Sequence, residues 1–184
     1  MNSIKLDLSG LAKFSNNLTE LQNNKERFFK EATKELAARL LAKVIPRTPV
    51  GVKPKDIPKD IKNEYWKGYV GGTLRRGWTA KTEEEAKNGK GNGVSVVDYI
   101  EGVAVVKEGN KYNIVIINPV KYASYVEYGH RQEPGRFVPA LGKRLKASFV
   151  EGQYMLTISE KELQEQAPAI LQRKLQRFLR EAFQ

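Results

Sequence analysis

A chain of 184 residues with 40% hydrophobic and 29% charged side chains has the make-up of one globular domain large enough to bury a core. With no cysteine and a single histidine, His130, it excludes disulfides, thiolate chemistry and Cys-based zinc sites, and no spacing supports a metal or cofactor site. The net charge of +11 is concentrated: residues 43–90 carry 12 basic against 6 acidic side chains and residues 121–147 carry 6 against 2, so two Pro- and Gly-containing segments hold 10 of the 11 excess charges.

Ile4, Leu6 and Leu8 alternate with polar residues, the pattern of a short strand or extended arm. From Leu11 the period changes to three and four, through Phe14, Leu18, Phe28, Ala32, Leu36, Leu40 and Val44, which predicts one long helix bent at Asn23 and Asn24 and ended by Pro46. Four prolines and Lys53, Lys55, Lys59 and Lys62 make residues 46–64 a basic loop, anchored at its far end by Trp66 and its neighbouring tyrosines. Residues 74–80 read as a strand, and residues 81–93 as a stretch too poor in apolar groups to order itself. Residues 102–107 and 112–117 predict a hairpin, with a further strand over residues 94–100. Leu141, Leu145 and Phe149 space a short amphipathic helix with a basic outer side. Ser159 with Glu162 makes a capping-box start for a C-terminal helix, and Pro168 kinks or restarts it.

The segment from Asn118 to Leu141 holds the densest signals. Asn118 and Pro119 read as N-cap and first helical residue, and Gly129 as the stop. Tyr122, Tyr125 and Tyr128 lie three apart, a row suited to core packing with phenol tips outward and to a contact face. His130, Arg131 and Arg136 follow in a Pro/Gly-containing loop that Phe137 and Pro139 pin to the core, with Lys143 and Arg144 beyond. The fold class expected is α+β: a long N-terminal helix packed on a small, mainly antiparallel sheet, with a short central helix and an amphipathic C-terminal helix. Residues 1–150 form the α+β domain, with mobile loops near 51–64 and 81–93, and residues 151–184 are a helical extension of it.

Four blocks then carry a resemblance: Thr48-Pro49-Val50, the run Gly72-Thr73-Leu74-Arg75-Arg76-Gly77-Trp78, the run Tyr122-Ala123-Ser124-Tyr125-Val126-Glu127-Tyr128-Gly129, and Phe137 shortly before Pro139-Ala140. In this order, over residues 9–145, the chain resembles the minor tail-component family of tailed bacteriophages and prophage particles, although residues 51–71 intervene where the family commonly joins its first two blocks directly. The resemblance implies a structural virion protein of the neck or tail end that completes the tail and joins it to the head by ring assembly, without catalysis or cofactor. Its partners would be other neck and tail proteins, further copies of itself and passing DNA, but no membrane, and assembly would take place in the host cytoplasm. Contact with subunits or DNA is expected from Lys53, Lys55, Lys59, Arg75, Arg76, His130, Arg131, Arg136, Lys143 and Arg144. Trp78, Tyr122, Tyr125, Gly129, Phe137 and Pro139 are expected to anchor the fold. The competing reading is a free basic nucleic-acid-binding protein, which Trp66, Trp78 and the tyrosines permit. Asp98, Glu108 and Lys111 do not match the spacing of a metal-dependent nuclease.

Overall fold

A computed structural model describes residues 9–51, 58–89 and 95–183. The alternating segment at Ile4, Leu6 and Leu8, and the lysines Lys53 and Lys55, lie outside these residues. The order is α1 (Ser9–Arg47), α2 (Lys59–Tyr65), α3 (Thr73–Gly77), α4 (Glu83–Lys87), α5 (Val96–Glu101), β1 (Val106–Glu108), β2 (Lys111–Asn113), α6 (Ala123–Tyr128), β3 (Gly129–Arg131), β4 (Phe137–Val138), a 3-10 turn (Pro139–Leu141), β5 (Lys143–Arg144), β6 (Phe149–Glu151) and α7 (Met155–Ala182). This is an α+β chain. Its strands form three separate antiparallel ladders, β1 with β2, β3 with β6 and β4 with β5, rather than one sheet.

The long helix α1 therefore finds its main partner in α7. Phe28, Ala32, Ala37, Leu41 and Val44 recur at helical spacing and are buried, and Phe28 stacks on Phe178 at 4.8 Å between ring centroids. The two helices run antiparallel, since Arg47 and Lys43 reach Glu162 while Glu35 reaches Lys174 further along α7. Lys34 ties α1 to α5 through the Glu101 carboxylate. The core joins Leu41 and Val44 of α1 to Leu74 and Trp78 around α3, Ile100 of α5, Val120 and Met155 of α7. No helix among the described residues is long and apolar enough to cross a membrane.

Several expected elements take another form. Residues 74–80 enter α3, a helical turn that starts after Gly72 at φ 90°, a left-handed conformation that glycine adopts without strain. Residues 96–101 are α5, whose cap is Ser95 accepting from the Asp98 amide at 3.1 Å. Part of the low-complexity stretch forms α4, where Thr82 accepts from the Glu85 amide and Glu85 accepts in return from the Lys81 amide. Residues 142–149 form no helix: the chain leaves the 3-10 turn at Leu141 and passes through Gly142 into β5 and β6. The α7 helix begins at Met155, a turn before Ser159, and continues through Pro168 without a break.

The seam between α1 and α7 depends on pH. The hydrogen bond from Lys43 is the largest influence holding the Glu162 carboxyl below its ordinary range, with Arg47 adding to it against the effect of burial. At Glu35 burial opposes ionisation, but the hydrogen bonds from Arg39 and Lys174 outweigh it and lower that group as well. Both folded values lie below the unfolded ones, so their stabilisation is complete above the ordinary carboxylate range and lost as pH falls through the lowered values. Glu162→Gln is expected to melt below the parent at neutral pH, and the gap should close on acidification. Thermal melts over a pH series measure this, and a gap that stays constant with pH would refute it.

Candidate assembly interface

The short sequence blocks meet in space. The Thr48 hydroxyl, fully buried, donates to the Val44 carbonyl at 2.7 Å and accepts from the Trp78 indole N–H at 2.7 Å. The Arg75 guanidinium donates from Nε and Nη2 to the Thr48 carbonyl at 3.0 and 2.7 Å. Arg76, also buried, donates from Nε to the Ala86 carbonyl and from Nη1 to the Gly71 carbonyl. Gly77 is needed because a Cβ there would run into the Asn118 side chain and lie 2.9 Å from Val120. Asn118 itself donates to the Leu74 carbonyl at 2.8 Å and accepts from the Val120 amide. It forms a local turn and a tie to α3 instead of capping α6, which starts later at Ala123. Thr48→Val keeps the shape but leaves the Trp78 N–H buried and unpaired, so a loss of about 2 kcal/mol is expected. Urea unfolding measures it.

The third block joins the C-terminal helix. Glu127, 5% exposed, accepts from the Leu156 amide at Oε2 and from the Thr157 amide and hydroxyl at Oε1, all within 2.9 Å. It is an N-terminal cap supplied to α7 from a distant part of the chain, and its negative charge sits at the positive end of the helix. Gly129, at φ 82°, and Gly152 allow the two backbones to cross here, since a Cβ on either would strike main-chain atoms of the other. Nothing local in the sequence marks Glu127 as a cap. Its partners follow it by about 30 residues.

Beyond Gly129 the chain leaves the core as one long arm, residues 129–151. The ladders β3–β6 and β4–β5 are joined by hydrogen bonds from the Gln132 amide to the Ser148 carbonyl and from the Gly135 amide to the Leu145 carbonyl. The tip at Pro139–Leu141 rests on α2, where the Trp66 indole N–H donates to the Ala140 carbonyl at 2.7 Å. Arg131, Arg136, Lys143, Arg144 and Lys146 are exposed along this arm, and among the described residues none pairs with a carboxylate. Lys59, exposed at the start of α2, stands beside the tip in the same unpaired state. Exposed Phe137 and Phe149 belong to the arm, and Tyr125 and Tyr128 at its base are each 60% exposed. His130 is half-buried with its ring 5.7 Å from that of Tyr125, and its Nδ1 is buried without a hydrogen-bond partner among the described residues.

The expected site residues divide accordingly. His130, Arg131, Arg136, Lys143 and Arg144 share the arm, with Lys59 at its tip. Arg75 and Arg76 do not join them, because their guanidinium groups are engaged with backbone carbonyls inside the chain. Of the expected anchors, Trp78 and Gly129 lie in the core network. Tyr122, Tyr125, Phe137 and Pro139 are exposed: α6 turns Val126 and Glu127 inward and leaves Tyr125 and Tyr128 on its outer side, while Phe137 and Pro139 lie out along the arm. Sequence reasoning missed Thr48 and Glu127 as bonded groups and read Asn118 as the cap of α6 where it turns the chain locally and ties it to α3, although each stands inside or beside a quoted block.

A family model described as "Bacteriophage HK97-gp10, putative tail-component" matches residues 12–129. The chain belongs to this HK97 gp10-like family. No curated protein and no solved structure matches it. Membership makes it a structural component of a phage tail, and so of the virion. The matched region runs from α1 to Gly129 and contains the network of Thr48, Arg75, Trp78, Asn118 and Glu127. The arm and α7 lie beyond it, so the five exposed cations of the arm stand outside the part of this HK97 gp10-like chain that the family model describes.

Proposed function

We propose that the protein completes the tail at its head-proximal end and joins it to the head, self-associating there as a ring and docking through the arm. The observation that carries this reading is the arm itself: five exposed cations without carboxylate partners among the described residues, interleaved with exposed Phe137 and Phe149 and based on Tyr125 and Tyr128. Arginine and aromatic side chains are enriched at protein interfaces, and uncompensated charge on a projecting element steers an acidic partner. Acidic surfaces on neighbouring neck or tail subunits are the proposed partners, with the arm as the docking element and the core network as its rigid base. The chain acts without catalysis or cofactor, and assembles in the host cytoplasm.

The free nucleic-acid-binding reading draws on the same cations. Of the two tryptophans, however, Trp78 is buried in the core and Trp66 holds the arm tip, which leaves neither as an open stacking platform for bases. Electron microscopy of purified particles, with this chain labelled, tests the proposal. Density at the head-proximal end of the tail is expected, and particles whose neck and tail lack the chain would end it.

A further inference from the structure

The strand β2 does not stop being a strand in sequence where its ladder stops. Residues 114–117 are Ile-Val-Ile-Ile, and they run on beyond the last β1 pairing at Asn113. Ile114 and Ile116 pack against the core and line an open groove of about 530 Å³ between α1 and α7, with Leu36, Leu40, Leu156 and Leu163 in its walls. Val115 and Ile117 point away and are 67% and 63% exposed. The backbone N–H and C=O groups of residues 114–117 make no hydrogen bond among the described residues. A β-branched edge with free backbone groups beside an apolar groove is a template for one more strand.

We propose that residues 4–8 of a second copy of this chain add to this edge. The inference rests on the self-association proposed above and names the contact that produces it. Ile4-Lys5-Leu6-Asp7-Leu8 contains no proline or glycine. As an added strand it would turn Ile4, Leu6 and Leu8 into the groove beside Ile114 and Ile116, and leave Lys5 and Asp7 outward beside Val115 and Ile117. The tether fixes which copy supplies it. Ile4 stands five residues before Ser9 and so can lie no further than about 17 Å from it. The first α1 residue to line the groove is Thr33, 24 residues along a helix that rises about 1.5 Å per residue, so the groove begins about 36 Å from Ser9. An occupant of this groove drawn from residues 4–8 would therefore come from a neighbouring copy. Such a contact is head-to-tail, the kind that closes into a ring when the rotation between copies allows.

The absence of natural cysteine gives a direct test. Particles are assembled with double variants that pair Lys5→Cys or Asp7→Cys with Val115→Cys or Ile117→Cys, then oxidised and run without reductant. Directly opposed residues on adjacent strands lie within disulfide reach, and the four combinations cover the register. At least one should convert most of the monomer into a ladder of covalent multimers that reductant collapses. Leu6→Cys with Val115→Cys, whose side chains would face opposite sides, should give at least ten-fold less. Monomer alone from all four combinations in particles that contain the chain would overturn the inference and leave the tail-end reading standing. A disulfide closed within one chain would also overturn it. Particles without the chain would overturn both.

Discussion

Glu127→Ala is expected to lower the melting temperature by roughly 6–12 °C, the largest effect of any single substitution outside the apolar core. The carboxylate is buried and holds two amides and one hydroxyl at the start of α7. Removing it leaves those donors without a partner and takes a negative charge from the positive end of a 28-residue helix. A charged cap at such a site is worth about 3 kcal/mol, and each kcal/mol moves the midpoint of a chain this size by about 2–4 °C. The damage should be local as well as global. Hydrogen exchange at the Leu156 and Thr157 amides should accelerate more than at amides in the middle of α7. Glu127→Gln keeps an acceptor oxygen but loses the charge and should fall between the two. A melting temperature within about 1 °C of the parent for Glu127→Ala would remove Glu127 from its role as the cap, and with it the explanation for this block of the sequence.

That carboxylate also shows where the sequence was legible and where it was not. The two long helices could be read because their apolar stripes repeat over many turns, and period and packing agree from Phe28 to Val44, although Leu11, Phe14 and Leu18 of the same stripe stay exposed. Gly129 could be read as a stop because a positive φ is a demand on one residue. The start of α7 could not be read in the same way. Ser159 and Glu162 fit a capping box, yet Ser159 accepts from Arg47 at 2.6 Å and donates to the Met155 carbonyl one turn inside the helix, while Glu162 pairs with Lys43 and Arg47. A cap delivered by Glu127 through tertiary packing overrides the local signal. Residues 96–101 went astray in the opposite direction. Their valines read as strand, but Ser95 with Asp98 is a helix start at close range, and the local cap wins.

The charge pattern was legible in amount but not in direction. Counting put the excess in residues 43–90 and 121–147, and both segments carry it. In the first, Arg75 and Arg76 turn inward to carbonyls, and Lys43 and Arg47 are paired with Glu162. In the second, the cations of the arm pair with no carboxylate among the described residues, and Arg144 alone reaches a carbonyl, that of Gly135 within the arm itself. Whether an arginine is a staple or a contact depends on which carbonyls the fold places beside it, and no window of sequence contains that information.

Reversing three arm charges, Arg131→Glu, Arg136→Glu and Lys143→Glu together, is therefore expected to leave the fold intact and sharply reduce assembly. The three side chains are exposed and make no ion pair or side-chain hydrogen bond among the described residues, so stability should change by no more than about 0.5 kcal/mol per site. Circular dichroism and thermal melting check this first. The arm would then present three more negative charges to an acidic partner in place of three positive ones. Like charges facing each other across an interface cost several kcal/mol, and each 1.4 kcal/mol is about ten-fold in affinity. Incorporation into particles, measured by quantitative mass spectrometry, should fall by at least about ten-fold, with unjoined heads and tails accumulating. Raising the salt should weaken binding of the parent protein to its neighbour as well, because exposed charges are screened over about 8 Å at physiological ionic strength and less at higher salt. DNA binding by the isolated chain separates the two readings of the arm. If parent particles assemble normally while the folded variant loses only DNA affinity and still enters the tail, the arm serves nucleic acid. If the folded variant is excluded from the tail, and the isolated parent chain does not hold duplex DNA at physiological salt, the arm is a protein contact.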